Sequence, residues 1–323
     1  MKKIGWIEIS KKKYGGVIYN EQARKALEPF FDVEEIMLES KIFKNIRYLK
    51  IPESLFYIWR LKKEKDLWIR DFYSSIFIKR KSLVMIHHLD FSGFPPVSRP
   101  AFYILQKIFL KKLEKADCIV TVSDYWQKYF LGLGFKNVYK IYNGFDLNEF
   151  GIKDQEAEEF KKSISSRPII YLGNCQKAKG VVESYKALKC LDVQLVTSGR
   201  RQVNLPVLNL ELDHKNYLKL LKASSIVISM SKFKEGWCRT AHEAMLSKTP
   251  VIGSGLGGMK ELLEGGSQIV CPDFSELKNK AEYLLQNPER RKKIAEKGFE
   301  FAKKFTLDKF SEEWIKLIKN ITQ

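Results

Sequence analysis

Short runs of consecutive apolar residues recur along this chain, each followed by a longer amphipathic segment, and that alternation admits few folds. In the first half the runs are Ile4–Ile9, Val33–Leu38, Asp66–Ile69, Leu83–His87, Cys118–Val122 and Val138–Tyr142. After the polar, acidic stretch 154–166 a second cycle begins, with runs at Ile169–Leu172, Val193–Thr197, Val207–Asn209, Ile226–Met230, Pro250–Gly253 and Gln268–Cys271. Apolarity on consecutive positions, as in Leu83-Val84-Met85-Ile86, predicts parallel strands covered by helices on both faces rather than strands with one wet face. Beyond Ser275 the pattern is helical, with Asn287-Pro288 between two helices and Thr306 before the last. That last helix carries Phe310, Trp314, Leu317, Ile318 and Ile321 at helical spacing, an apolar stripe that must be buried. No repeat of 20–50 residues occurs, which sets solenoids and propellers aside.

The chain has 323 residues, more than one ordinary domain. The expected organisation is a Rossmann-like domain over 1–150, a second Rossmann-like domain over 151–304, and a terminal helix, 305–323, packed at their junction. The net charge is +19, with 27 Lys/Arg against 17 Asp/Glu in residues 1–150 and 30 against 21 in the rest, so the excess is spread over both halves. Such a field attracts phosphate without choosing among nucleotides, anionic lipid and nucleic acid. The five cysteines, Cys118, Cys175, Cys190, Cys238 and Cys271, are odd in number and lack C-x-x-C spacing, as expected of reduced thiols in a cytoplasmic protein. The opening residues do not form a signal peptide, and no apolar stretch approaches a membrane span. Residues 41–65 and 99–115 interleave bulky apolar residues with lysine and arginine, so peripheral contact with anionic membrane on the cytosolic face is an expectation.

The most informative segment is Ser229–Gly258, SMSKFKEGWCRTAHEAMLSKTPVIGSGLGG. It sets Glu235 and Glu243 eight residues apart, with Gly236 after the first and a helix predicted over 239–246. Glu235 then lies at the carboxyl end of a strand and Glu243 just over one turn into the following helix. Open α/β sheets bind ligands at that edge, and a free helix N-terminus favours phosphate. A carboxylate there suits a ribose diol. In Ile169–Val181, IIYLGNCQKAKGV, a strand runs through a turn into a helix. Lys179-Gly180 at the helix start sets an ammonium and backbone N–H groups against a pyrophosphate. In LVMIHHLD two of the four histidines, His87 and His88, follow a buried strand, and either could face a ligand. In KKKYGG, Gly15 and Gly16 let backbone approach a ligand closely.

Taken together, E-x7-E, the EAM of Glu243-Ala244-Met245, the strand Pro250–Ile252 and Gly257-Gly258-x-x-Glu261 resemble the retaining GT4-like glycosyltransferases of glycosyl transferases group 1. The resemblance covers most of the chain and is strongest over 169–302. It implies an α/β GT-B fold, two doubly wound parallel-sheet domains facing a central cleft, the acceptor-side domain over 1–150 and the nucleotide-sugar donor domain over 151–304, that close about a hinge near residue 150, with the C-terminal helix crossing back. It further implies a hexosyltransferase-type enzyme that moves a sugar from a nucleotide-sugar donor to a glycan or lipid-linked acceptor, with retention. By that resemblance Glu235 contacts donor-sugar hydroxyls, Glu243 binds the ribose, Lys179 neutralises the leaving diphosphate, and His87, with His88 as its competitor, lies near the reacting carbon. Gly15, Gly16, Gly236, Gly257 and Gly258 then contribute to donor binding. The family's G-R-x-x-x-x-K-G pattern has Asn174 here in place of its arginine, so Lys177, Arg200 or Arg201 supplies the charge, or the diphosphate is held more weakly.

No D-x-D occurs, and neither H-E-x-x-H nor a zinc-type Cys/His spacing is present, so no metal or other cofactor is expected. No G-x-G-x-x-G follows the first strand, which disfavours a dehydrogenase-type site. Two other readings compete: a GT-B sugar-nucleotide epimerase or phosphorylase, and a basic nucleic-acid-binding protein, against which the dispersed charge and missing recognition motifs argue.

Overall fold

The structure, a computed structural model, describes residues 1–8, 15–38, 40–43, 47–78, 81–92 and 99–322. The chain divides into two compact units, one of Met1–Phe91, Pro96–Gly144 and Leu307–Gln323, the other of Phe145–Thr306 with Ser92–Pro95.

In the first unit β1 (Lys3–Glu8), β2 (Asp32–Met37), β3 (Leu67–Asp71), β4 (Ser82–Ile86), β5 (Cys118–Thr121) and β6 (Val138–Lys140) form one sheet in the order β2-β1-β3-β4-β5-β6. Every adjacent pair is parallel. The connections carry α1 (Gly15–Leu27), α2 (Arg47–Arg60), α3 (Arg99–Leu113) and α4 (Asp124–Gly132). Ser123 caps α4 by accepting from the Trp126 N–H. Gly5 pairs with Trp68, and a Cβ at Gly5 would stand 2.7 Å from the indole, so the glycine makes room for that ring. Glu53 in α2 accepts N–H bonds from Lys41, Ile42 and Phe43 and the Tyr57 hydroxyl, fastening the loop before the helix.

The last helix, α12 (Leu307–Thr322), belongs to this unit. Its Phe310 and Trp314 rings lie 5.0 and 6.2 Å from Tyr19 of α1, and Trp314 is 6.1 Å from Trp6. Phe310 and Trp314 of the apolar stripe are thus buried against α1 and β1, where Tyr19 and Trp6 supply aromatic rings. Gly144 lies where a Cβ would come 2.6 Å from Phe310, so the chain can pass close to that helix.

The second unit repeats the plan with β7 (Ile169–Asn174), β8 (Gln194–Ser198), β9 (Leu208–Leu210), β10 (Ile226–Ser229), β11 (Val251–Gly253) and β12 (Ile269–Val270) in the order β12-β11-β10-β7-β8-β9, again parallel. Its helices are α5 (Asp154–Ile164), α6 (Val181–Leu188), α7 (His214–Ala223), α8 (Arg239–Leu246), α9 (Met259–Gly265), α10 (Leu277–Gln286) and α11 (Pro288–Ala302). Pro288 opens α11, where its missing N–H costs nothing. Ile170, Leu172, Ile226, Ile228 and Ile252 on the central strands pack with Val181, Leu188 and Leu284 from the helices. All twelve expected strands form, within a few residues of the bounds read from the apolar runs. No helix among the described residues is long and apolar enough to cross a membrane.

Candidate active site

The strand order places β7, the first strand of the second unit, beside β10, so chain direction across the sheet reverses between them. Loops leaving such a switch point diverge and open a crevice at the carboxyl ends of the strands. Lys179 follows β7 and Glu235 follows β10, and their side chains meet: Lys179 Nζ donates to Glu235 Oε1 at 2.5 Å. Ser231 Oγ donates to the same oxygen at 2.5 Å. The Lys179 ammonium also lies 5.1 Å from the centre of the Phe233 ring. Burial works against the lysine's charge, but the Glu235 carboxylate beside it outweighs burial and holds its pKa above the ordinary value.

Two glycines make this meeting possible. Gly180, at φ +71°, ends the turn that carries Lys179, and a Cβ there would overlap the Met230 carbonyl oxygen at the end of β10. Gly257, at φ +68°, presses on Glu235 so closely that a Cβ would overlap its carbonyl oxygen. Glu235 N–H donates to the Leu256 carbonyl at 3.1 Å, and Gly258 N–H to the Glu235 carbonyl at 2.9 Å. Lys232 N–H donates to the Ala178 carbonyl at 2.9 Å, tying the two loops together. Gly236, next to Glu235, is buried.

Glu243 stands in the second turn of α8, whose bounds are those predicted. Its Oε2 accepts from the Tyr217 hydroxyl at 2.9 Å and its Oε1 lies 3.4 Å from Arg239 Nε. Between the two glutamates, Trp237 Nε1 donates to His242 Nδ1 at 3.0 Å, so His242 Nε2 carries the proton it gives to the Ala302 carbonyl at 3.1 Å. His242 is fully buried, stacked 4.0 Å from Phe145, and burial lowers its pKa to about 3. It is a neutral brace that folds the Glu235 loop onto the helix carrying Glu243. Cys238, at φ +71° before α8, has its thiol pushed up to about 11 by burial and by the Glu235 charge, so it is no thiolate at neutral pH.

Asn174 is exposed at the end of β7, where a Tyr171–Ser198–Asn174 chain of hydrogen bonds reaches it, at 2.6 and 3.2 Å. Lys177, Arg200 and Arg201 are exposed just beyond β7 and β8, at the edge where an arginine was expected.

In the first unit His87 directly follows β4 and His88 beside it is exposed. Asn20 Nδ2 donates to Glu8 Oε2 at 3.2 Å, which turns Asn20 Oδ1 toward His87 Nε2 at 3.1 Å. The imidazole therefore keeps its proton on Nε2. Enclosure by its neighbours and the proximity of His88 lower the His87 pKa to about 4, so it is neutral at pH 7. Gly15 and Gly16 are the first two residues of α1, where backbone N–H groups have no partner within the helix. Lys11, Lys12, Lys13 and Tyr14 of that segment lie outside the described residues.

Glu8, Asn20, Tyr217 and Ser231 escaped the sequence reading. Glu8 carried a signal, a carboxylate at the carboxyl end of the first strand; the others look like ordinary loop and helix residues. Burial raises the Glu8 pKa from 4.5 to about 7, against the Asn20 hydrogen bond and with help from the Asp71 and Glu35 charges. The folded state thus holds a proton the unfolded chain has lost. Glu8 contributes stability that is full below pH 4.5 and lost as pH rises through 7, on the order of 1–3 kcal/mol after screening. His87 acts in the opposite sense, its contribution present above pH 6.5 and lost toward 4. Urea unfolding of Glu8→Gln is therefore expected to fall less between pH 5 and 8 than that of the wild type; parallel curves would remove Glu8 as the source.

Comparison with known proteins bears on this arrangement. Residues 153–301 match the family model described as glycosyl transferases group 1. Trehalose synthase of Pyrococcus horikoshii is 32% identical over 102 residues, 31% of this chain and 24% of that protein. The matched stretch thus spans about a quarter of that relative. Among solved structures, sucrose-phosphate synthase of Thermosynechococcus elongatus superposes with a TM-score of 0.81 at 16% identity, covering 99% of each chain. Anabaena HepE in complex with UDP-glucose gives 0.79 at 17% identity, covering 99% of this chain and all of that one. The fold is GT-B.

Proposed function

We propose, from the match of residues 153–301 to the glycosyl transferases group 1 model, that this chain transfers a sugar from a nucleotide-sugar donor to a glycan or lipid-linked acceptor with retention of configuration. The observation that carries the proposal is the Lys179–Glu235 pair at the switch point of the second sheet, with Glu243 beside it on α8. A nucleotide-sugar donor fits that edge: the complex of the neighbour HepE contains UDP-glucose.

In this reading Glu243, already oriented by Tyr217, accepts from the ribose hydroxyls. Glu235 gives up part of its hold on Lys179 and accepts from donor-sugar hydroxyls. The ammonium so released turns to the diphosphate, and the α6 N-terminus, opened by Gly180, adds backbone N–H groups. As the bond from the sugar carbon to the phosphate oxygen breaks, negative charge grows on the diphosphate and Lys179 stabilises it. The acceptor hydroxyl attacks from the face the diphosphate leaves, and its proton passes to the departing phosphate oxygen. Lys177, Arg200 or Arg201 supplies the charge that Asn174 lacks. In the first unit the neutral His87, fixed by Asn20 and Glu8, offers Nδ1 to a substrate hydroxyl. The sequence has no D-x-D, so charge compensation falls to these cations and needs no resident metal. The reduced thiols fit work in the cytoplasm.

The test is thermal-shift binding of UDP-, GDP-, ADP- and dTDP-sugars to wild type and Glu243→Ala. A donor at about 100 times its Kd adds about 2.7 kcal/mol, several degrees of Tm. Stabilisation by one nucleotide, lost in the variant, is the expected result. Equal shifts in wild type and variant, or none with any donor, would overturn the assignment. Product analysis without acceptor separates transfer from epimerisation.

A further inference from the structure

On the other unit, far along the sequence from these residues, β3 carries a charge in an unusual place. Arg70 is 5% exposed, on the sheet face that α2 covers, alongside Trp68 and Ile58. Its Nε donates to Ser82 Oγ at 3.1 Å and its guanidinium lies 5.2 Å from the Trp68 ring, but Nη1 is buried without a hydrogen-bond partner. A buried guanidinium nitrogen left without a hydrogen-bond partner is costly to the fold and calls for an explanation, and a bound anion supplies one. Burial lowers its pKa only to about 10, so the group stays cationic at neutral pH.

Arg70 lines an open cavity of about 420 Å³. Arg60, Lys62 and Lys63 share its wall; Glu34 engages Lys63, whereas Lys62 has no carboxylate partner among the described residues. Among the described residues no carboxylate lines the cavity. Trp59 and Phe77, also in its wall, continue into an adjoining trough completed by Pro52, Leu55 and Phe56. Phe56 and Trp59 are 46% and 51% exposed. Apart from the Trp59 indole N–H, no side chain of the trough has a polar atom, so it cannot read a nucleobase or a sugar, yet it can cover a hydrocarbon chain.

We infer that this cavity and trough form a binding site for a phosphate ester of a long-chain alcohol, the phosphate taken by Arg70 with Arg60 and Lys62, the chain laid between Phe56, Trp59 and Phe77. Charge complementarity selects the head: a phosphate satisfies Nη1 and meets Arg60 and Lys62, for which the described residues supply no carboxylate partner. The apolar trough selects the tail, each covered methylene adding to affinity. The site asks nothing of the second unit and stands apart from the transferase reading.

Calorimetric titration of the full chain with octyl phosphate, inorganic phosphate and octyl glucoside tests it. Octyl phosphate is expected to bind at least ten-fold more tightly than either of the others. Arg70→Met, which replaces a buried charge by an apolar chain of similar length, should weaken it ten-fold or more, and the exposed Lys62→Ser should weaken it several-fold without threatening the fold. Trp59→Ser should lower octyl phosphate affinity and leave that of inorganic phosphate unchanged. Inorganic phosphate binding as tightly as octyl phosphate would mean a free anion site and sink the lipid assignment. Octyl glucoside binding equally well, or octyl phosphate affinity unmoved in both cation variants, would reduce the surface to a nonspecific apolar patch. Because Arg70, Lys62 and Trp59 all lie in the first unit, the response of their variants localises the binding, and its failure leaves the nucleotide-sugar shifts of Glu243→Ala untouched, as the reverse holds.

Discussion

Lys179→Met is expected to lower the rate of sugar transfer, measured with the donor that stabilises the wild type, by roughly 10²–10³-fold, the range for removing one preorganised group that meets developing charge. The lysine is held by Glu235 in the protein as it stands, Nζ to Oε1 at 2.5 Å, and its raised pKa keeps it charged throughout the neutral range. The positive charge is therefore in place before substrate arrives and needs little reorganisation when the diphosphate departs. The loss should fall on kcat more than on KM, because Glu243 and Tyr217, which hold the nucleoside in this scheme, do not touch the substituted side chain. Methionine keeps most of the apolar stem and removes the ammonium, together with its contact with the Phe233 ring. A variant whose kcat stays within about three-fold of wild type would take Lys179 out of the chemistry.

His242→Ala should cost about 3–5 kcal/mol of stability in urea unfolding, together with the nucleotide response. The imidazole is fully buried and bonded on both sides, so its loss strands the Trp237 N–H and the Ala302 carbonyl and opens a cavity against Phe145. The same residue sets an acid limit. With a folded pKa of about 3 against 6.5 unfolded, His242 contributes stability above pH 6.5 that is lost progressively as pH falls toward 3. His242→Phe keeps the stacking and removes the titration, so its stability should decline less between pH 6.5 and 4 than that of the wild type. If alanine cost under 1 kcal/mol, the brace between the two glutamates would not exist.

Much of the fold is legible in the residues because it rests on local rules. Consecutive apolar residues mark strands covered on both faces, Pro288 marks the start of a helix, and α8 has the bounds predicted from the residues. The likeness of Ser229–Gly258 to a known family identified Glu235 and Glu243, since their separation is fixed by one loop and one helical turn. Gly257 could be picked out for the same reason, although its sequence gives no hint that it lies against Glu235.

Other features have no local cause. Lys179 and Glu235 are 56 positions apart, and they meet only because β7 and β10 pair across the switch point. Tyr217 reaches Glu243 from α7, Glu8 and Asn20 fix the tautomer of His87, and Trp68 with Ser82 hold Arg70 inside its cavity, each by contacts between separate elements. The stripe on the last helix announces that it must be buried, but its place against Tyr19 and Trp6 is decided by where complementary aromatic rings stand after the sheet has formed. The sequence by itself determined which segments become strands and helices and which residue types stand at their ends, because those depend on short-range periodicity and sterics. Strand order, pKa shifts and partnerships between distant side chains were decided by tertiary structure alone, because burial and close approach exist only once the layers have packed.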